Sequence, residues 1–302
     1  MAATDPLSIR QLEVFVALVE QGSFTKAARH LELSQSTVSG HVADLERRLD
    51  VRLVERDRSG VRTTAAGQAL LRPAREVLQA ERNARMAVHE LSGLLRGVLR
   101  VGGSTIPASY LLPGLFAAFH EAHPGVTLRL VTGDSRDVVE RVRNADVEVG
   151  IVGAPPQDRD LESVEVGKDR LVLIASPDHP LVAKGTASGA DLKNHAVVTR
   201  EEGSGTRAAA EDALAKLGAD VVRGLRVACE VGSTEAVKAA VRAGMGIAFV
   251  SDLSVKDELA HGTLAIVKVR GFDVSRSFHL VTRPEALLGP AARAFRDVAL
   301  RA

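Results

Sequence analysis

The sequence predicts an N-terminal all-α winged helix-turn-helix, then a long linker helix, then a C-terminal α/β domain of two Rossmann-like lobes. Three observations predict it. Short helical stripes precede a pair of extended runs around a turn. One helical pattern of roughly 25 residues follows. Beyond Gly97, apolar runs of strand length alternate with helical stretches.

The first helix carries Leu12, Phe15, Val16 and Val19 at helical spacing, with Leu7 one turn upstream, and Gly22 suits its C-cap. Ser23 suits the N-cap of a short second helix, Phe24 to Leu31, whose Ala27, Ala28 and Leu31 share a face. Ser34 suits the cap of a third, Gln35 to Leu49, with Val38, Val42, Leu45 and Leu49 inward. The polar start of that helix carries Gln35, Ser36, Thr37, Ser39 and His41. In a helix-turn-helix this end enters the major groove, where amides and hydroxyls reach base edges or phosphates. Extended runs then flank the turn pair Ser59-Gly60, as in a β-hairpin wing. Arg56, Arg58 and Arg62 on that wing suit phosphate or minor-groove contact.

Charge adds little to this case. The chain carries a net +1, and residues 1–64 hold nine Lys and Arg against nine Asp and Glu. A neutral head gives weak non-specific DNA affinity, so two or more copies are expected to act together on double-stranded promoter DNA. Thr64 suits the cap of the linker helix, which reads to about Leu91 with Ala69, Leu70, Val77, Leu78, Val88 and Leu91 apolar and Pro73 as a possible kink site. A stripe of this length predicts packing against a second copy, with packing on the chain's own C-terminal domain as the alternative.

The C-terminal strands read as Val98–Val101, Val126–Val131, Val147–Val152, Arg170–Ala175, Ala196–Thr199, Leu225–Val231, Gly244–Val250 and Ser277–Val281. Several strands lead through Ser, Thr or Gly into a helix, at Ser104-Thr105, Thr132, Ser204 to Thr206 and Ser233-Thr234. Helix N-termini offer unpaired N–H groups and partial positive charge, and hydroxyls add donors. A small anion or carboxylate is therefore the expected effector, with Arg207 able to add a charge. The predicted organisation is a head over 1–64, a linker over 65–96 and an effector domain over 97–302. Lobe I covers about 97–168 and 269–302, and lobe II about 169–268.

Other chemistries find little support. Glu202-Gly-Ser-Gly-Thr-Arg207 lacks the spacing and Lys of a P-loop, and Gly102-Gly-Ser104 is no dinucleotide fingerprint. Cys229 is the single cysteine and alternates with apolar residues, which suits packing. The nine histidines show no ligand spacing, so neither a metal nor another cofactor is expected, nor catalysis. Met1–Asp5 has no basic stretch ahead of an apolar run, and no apolar run approaches a membrane span. A cytoplasmic location without membrane contact is the expectation. A ligand-independent architectural DNA-binding protein, a solute-binding protein with an inactive head and a two-lobed enzyme are the rival readings.

The N-terminal stretch resembles the LysR-type transcriptional regulators. The residues that carry the resemblance are Leu12-Glu-Val-Phe15, Gly22-Ser-Phe-Thr-Lys-Ala-Ala28, Leu33-Ser-Gln-Ser-Thr-Val-Ser39, Leu45-Glu46, Leu49, Val51-Arg-Leu53, Arg56 and Thr63-Thr-Ala-Ala-Gly67. The C-terminal half resembles that family's effector domain, which implies lobes arranged as in type-2 periplasmic binding proteins. The resemblance implies that Gln35, Ser36, Thr37 and Ser39 open the recognition helix and that Arg56 approaches the DNA backbone or minor groove. It also implies that Ser104 and Thr105 contact the effector, and that Thr132, Ser204 and Thr206 lie in other cleft-lining loops. A dimer or dimer of dimers and contact with RNA polymerase are further implications. The run Ser104-Thr-Ile-Pro-Ala-Ser-Tyr-Leu-Leu-Pro113 is most similar to the branch tied to sulfur assimilation, selenium metabolism or carbon-fixation control. Two positions depart from the family's pattern. Gly40 stands where many members carry a basic residue, and Asp50 where glycine is usual.

Overall fold

In the computed structural model, residues 6–57, 60–90, 95–156 and 160–301 are described. The head contains α1 (Ile9–Gln21), α2 (Phe24–His30), α3 (Gln35–Leu49), β1 (Val54–Asp57) and β2 (Gly60–Thr63). Ser8 and Gln11 cap α1 reciprocally, and Gly22 ends it at φ 62°. The Ser34 hydroxyl accepts the Thr37 N–H at 3.0 Å. Ser23 has the extended backbone of an N-cap, but its side chain makes no capping bond. Val14, Leu18, Phe24, Ala27, Ala28, Val38 and Val42 form one core. Leu7 and Leu49, placed on inward stripes by periodicity, are exposed at 38% and 36% because they lie at the ends of their stripes.

Asp50 caps α3 in the left-handed region, at φ 51° and ψ 38°. An L side chain is disfavoured there by Cβ–carbonyl crowding, and glycine is not.

The linker helix α4 (Ala65–Glu90) continues through Pro73. Thr64 caps it by accepting the Gly67 N–H at 3.1 Å. Gly67 is required by close approach, since a Cβ there would lie 2.1 Å from the Leu53 carbonyl oxygen. The first half of α4 packs Leu70, Leu71, Ala74 and Leu78 against Leu12, Phe15 and Val16 of α1. Its second half docks on the chain's own C-terminal domain, with Met86 buried in that domain's core. Of the apolar stripe read from the sequence, Leu70 and Leu78 thus pack on the head, while Met86, outside that stripe, is the residue that enters lobe I. Val77 and Val88 remain 45% and 66% exposed. Leu91 and the expected Ser92-Gly93 boundary fall outside the described residues.

Lobe I opens with β3 (Gly97–Ser104), a π-helical turn at Pro107–Leu111, α5 (Leu112–Ala122), β4 (Val126–Gly133), α6 (Ser135–Arg143) and β5 (Val149–Val152). These strands run parallel in the order β4-β3-β5. The 14-residue β6 (Glu162–Ala175) then enters lobe II. There follow α7 (Pro180–Lys184), β7 (Thr186–Ala187), α8 (Gly189–Leu192), β8 (Ala196–Arg200), α9 (Gly205–Leu217), α10 (Ala219–Arg223), β9 (Arg226–Val231), α11 (Thr234–Arg242), β10 (Ala248–Ser251), α12 (Lys256–Ala260) and β11 (Ala265–Val269). The chain returns through β12 (Ser275–Thr282) to α13 (Pro290–Arg301).

Strand β6 joins the lobes. Residues Glu162 to Arg170 pair antiparallel with β12 in lobe I, and Leu171 to Ala175 pair with β10 and β11 in lobe II. The sequence shows only the second half, because residues 162–169 are largely exposed and polar while Leu171 to Ala175 are buried. The sheet is therefore parallel at β4-β3-β5 and antiparallel wherever β6 is a partner, which the strand–helix alternation alone did not indicate.

A buried carboxylate sits in the seam between α4 and lobe I. Gln79 Nε2 donates to Glu148 Oε1 at 2.8 Å, and the Arg100 N–H donates to Oε2 at 2.9 Å. Burial pushes the Glu148 carboxyl above the usual range, while the Gln79 hydrogen bond and the nearby Arg82 charge pull it back.

Two stability predictions result. Asp50→Gly relieves the left-handed strain and loses part of that gain to unfolded-chain entropy, for a net stabilisation of about 0.5 kcal/mol. An unchanged or lower urea midpoint would refute it. For Glu148, a raised folded-state value favours the protonated form in the fold, so stability falls as pH climbs from the ordinary carboxylate range through the raised value. Glu148→Gln should flatten that fall across a pH series of urea midpoints, and an unchanged slope would count against it.

A candidate DNA-reading head and an interlobe cleft

Gln35, Ser36 and Thr37 are exposed at the start of α3, and Ser39 and His41 are half-buried further along it. The cap residue Ser34 contacts the Ser36 hydroxyl at 2.7 Å and the Thr37 hydroxyl at 2.8 Å, which orders that polar end. Thr25 of α2 donates to Gln35 Oε1 at 3.3 Å. Arg56 lies with its guanidinium 4.0 Å from the Phe24 ring centroid, so the wing is stacked against α2. Arg62 is exposed on β2, opposite Glu55. Arg58 lies outside the described residues.

What aims the wing is Glu46, a buried residue of α3. Its Oε1 accepts the N–H groups of Leu53 at 2.8 Å and Val54 at 3.2 Å, and its Oε2 meets Arg52 at 3.1 Å. A carboxylate at this point satisfies the two amides where the chain leaves α3 and starts the hairpin.

The second site is a cleft of about 340 Å³ between the lobes. Ser104 and Thr105 reach it from the end of β3, Asp134 and Ser135 from the start of α6, Thr206 and Asp212 from α9, and Arg276 and Phe278 from β12. Arg276 is its cation. Nε of Arg276 donates to the buried Asp169 Oδ2 at 2.6 Å, and Nη2 donates to Thr206 Oγ1 at 3.3 Å. Ser251 donates to the other Asp169 oxygen at 2.6 Å. Burial pushes the Asp169 carboxyl up, and Arg276 and Ser251 hold it back. At the far side of the lobes, the Tyr110 hydroxyl donates to Glu235 of α11. Lys238 pairs with Glu235 at 2.9 Å and with Glu258 at 2.8 Å, with its ammonium 5.7 Å from the Tyr110 ring centroid. Burial and the Glu235 carboxylate push the Tyr110 hydroxyl up, which keeps it a donor.

Of the sequence-predicted effector residues, Ser104, Thr105 and Thr206 meet in this cleft. Three do not line it. Thr132 is exposed on β4 beside Gly103, outside the cleft. Ser204 is buried and its hydroxyl caps α9 by accepting the Arg207 N–H at 3.5 Å. Arg207 turns to Glu211 and Glu230, at 2.8 Å each, and to the Arg200 carbonyl. Ser233 caps α11 by accepting the Ala236 N–H, and Thr234 accepts from Arg200 at 3.0 Å. The turns at Ser104-Thr105 and Ser204 to Thr206 therefore meet in the cleft, the loop after Thr132 reaches it only through Asp134 and Ser135, and the turn at Ser233-Thr234 does not line it. Sequence reasoning missed Arg276, because it precedes the apolar run that marks β12 and nothing local sets it apart. Asp134 was missed as well, although a residue ahead of a helix start was a readable signal.

Elsewhere, Cys229 is half-buried against the lobe II core. Among the described residues, no group of three His, Cys, Asp or Glu could hold a metal ion, and no helix is long and apolar enough to cross a membrane.

Fold and sites together define a winged helix-turn-helix DNA-binding protein with a two-lobed ligand-receiving domain. Comparison with known proteins makes the assignment specific. Residues 9–68 match the bacterial regulatory helix-turn-helix protein model of the lysR family, and residues 92–302 match the LysR substrate binding domain model. The chain belongs to the LysR family of transcriptional regulators. It is 37% identical over 295 residues to the RuBisCO operon transcriptional regulator of Allochromatium vinosum, covering 97% of this chain and 96% of that one. It is 34% identical to the regulator CbbR of Xanthobacter flavus, over 96% of this chain and 86% of that one. It is thereby related to the carbon-fixation and sulfur regulator branch. Among solved structures it is similar to full-length CbnR complexed with its target DNA, at 26% identity and TM-score 0.66, over 97% of this chain and 99% of that one. It is also similar to the Synechocystis PCC6803 CcmR regulatory domain in complex with 2-PG, at 30% identity and TM-score 0.62, over 68% of this chain and 97% of that one.

The role of Glu46 is directly testable. Glu46→Ala strands two buried amides and should cost about 2–3 kcal/mol of stability. It should also weaken wing-side protection of DNA more than recognition-helix protection. A stable variant with an unchanged footprint would show that the wing does not depend on this carboxylate.

Proposed function

We propose that this regulator controls transcription at double-stranded promoter DNA in response to a small hydroxylated carboxylate or phosphate bound between its lobes. The observation that carries this reading is Arg276, anchored in the cleft by Asp169, whose Oδ2 lies 2.6 Å from both Nε and Nη2, with Nη2 also 3.3 Å from Thr206. A guanidinium beside hydroxyl groups suits a carboxylate or phosphate oxygen. Asp134 and Asp212 line the same cleft, so a bare polyanion fits it poorly and a ligand with hydroxyl donors on its other end fits better. The complex of the CcmR regulatory domain with 2-PG supports a small-molecule ligand for this domain. Ser104, Thr105, Thr206 and Arg276 are the proposed effector contacts, with Ser204 shaping the α9 start.

On DNA, Gln35, Ser36, Thr37, Ser39 and His41 enter the major groove, and Arg56, Arg58 and Arg62 serve the backbone or minor groove. The protein works in the cytoplasm as a dimer or dimer of dimers that contacts RNA polymerase, with the divisions 1–64, 65–96 and 97–302. The ligand acts by binding one interlobe arrangement better than another, and the Tyr110–Glu235 contact is one that such a change would make or break.

The test is footprinting on the protein's own upstream DNA with hydroxy-carboxylates, with phosphorylated acids and with 2-PG. One compound should change the footprint. Thr206→Val should then raise the concentration required about 10–100-fold, the loss of one hydrogen bond to a charged group. A footprint indifferent to every compound, or equal sensitivity in Thr206→Val, would overturn the assignment of effector class and site.

A further inference from the structure

A second cleft, of about 630 Å³, lies where the head, the linker and lobe I meet. Val19 and Glu20 come from α1, Arg75 from α4, Arg100 from β3, Arg129 from β4, Arg141 from α6, and Asp146 from the turn before β5. Its charges do not balance. Asp146 serves three guanidiniums, Arg141 at 2.7 Å, Arg100 at 3.7 Å and Arg75 at 3.9 Å. Glu20 adds one contact to Arg75 at 3.2 Å, and Asp137 one to Arg141 at 2.9 Å. Four arginines thus face three carboxylates, and among the described residues Arg129 has no partner. Nε of Arg75 is buried without an acceptor. A buried donor lacking an acceptor is unfavourable, so the Arg75 guanidinium is not fully satisfied by Glu20 and Asp146.

We infer that this cleft is a second anion site, separate from the interlobe cleft, for a small ligand with two or more phosphate-type groups. Planar guanidiniums bind such oxygens in pairs, and the spread of arginines over the linker helix and three elements of lobe I favours more than one anionic group. The volume lies within the range of small-molecule sites. The consequence is regulatory. Arg75 links the head to lobe I through Glu20 on one side and Asp146 on the other. An anion there competes with Glu20 for Arg75 and loosens the head from the effector domain.

The experiment is isothermal titration of inorganic pyrophosphate into the full-length protein, with inorganic phosphate as a singly grouped control. Pyrophosphate should bind saturably and more tightly than phosphate, with affinity falling as salt rises. Arg129→Glu, at an exposed position of an edge strand, should weaken it at least ten-fold without moving the thermal midpoint. Thr206→Val in the interlobe cleft should leave it unchanged, which separates this site from the proposed effector site. Asp146→Asn should tighten it. No saturable binding, or binding that survives Arg129→Glu but is lost in Thr206→Val, would overturn the inference.

Discussion

The buried carboxylate of Glu148 fixes where the head stands relative to the effector domain. It accepts one hydrogen bond from the Arg100 amide of its own lobe and one from Gln79 of the linker helix. A carboxyl group so deeply buried is tolerable only while both partners stay in place. Displacing α4 from lobe I would also expose Met86, which fills the lobe I core from the linker side. Polar and apolar terms therefore act in one direction, and the linker becomes a continuation of lobe I. The head follows, because Leu70, Leu71 and Leu78 of the same helix pack on α1.

The lobes are coupled by a different device. Strand β6 belongs to both sheets, so bending between the lobes concentrates where its partners change from β12 to β10 and β11. Asp169 sits at that change. Ser251 of lobe II and Arg276 of β12 both donate to it, and Arg276 also reaches Thr206 at the cleft. A ligand bound at Arg276, as proposed, would bear on the point where the two sheets join. Only a ligand with unequal affinity for the two lobe angles can exploit this, since equal binding shifts no equilibrium.

Much of the architecture was legible from spacing and caps. The head's helices follow from the placement of Gly22, Ser34 and Thr64 and from apolar stripes, because those signals act within one turn. Strand β6 was half-visible, since its lobe I portion is polar and solvent-facing. Ser104-Thr105 and Thr206, read as effector-facing from the strand–hydroxyl–helix pattern and the family resemblance, line the cleft. Ser204 and Ser233 were read as ligand donors on the same local signal, but their hydroxyls are consumed by helix caps.

The sequence by itself determined the helices and hairpin of the head, the linker helix, the principal strands of the lobes and the family, because each rests on contacts within a few residues or on a dense run of matched positions. The tertiary structure alone decided which polar groups share a cleft. Arg276 and Thr206 are separated by 70 positions, and Gln79 and Glu148 by 69. No local pattern announces such pairs. Whether a hydroxyl or a guanidinium is free to meet a ligand depends on which distant carboxylate or amide claims it first, as Glu211 and Glu230 claim Arg207.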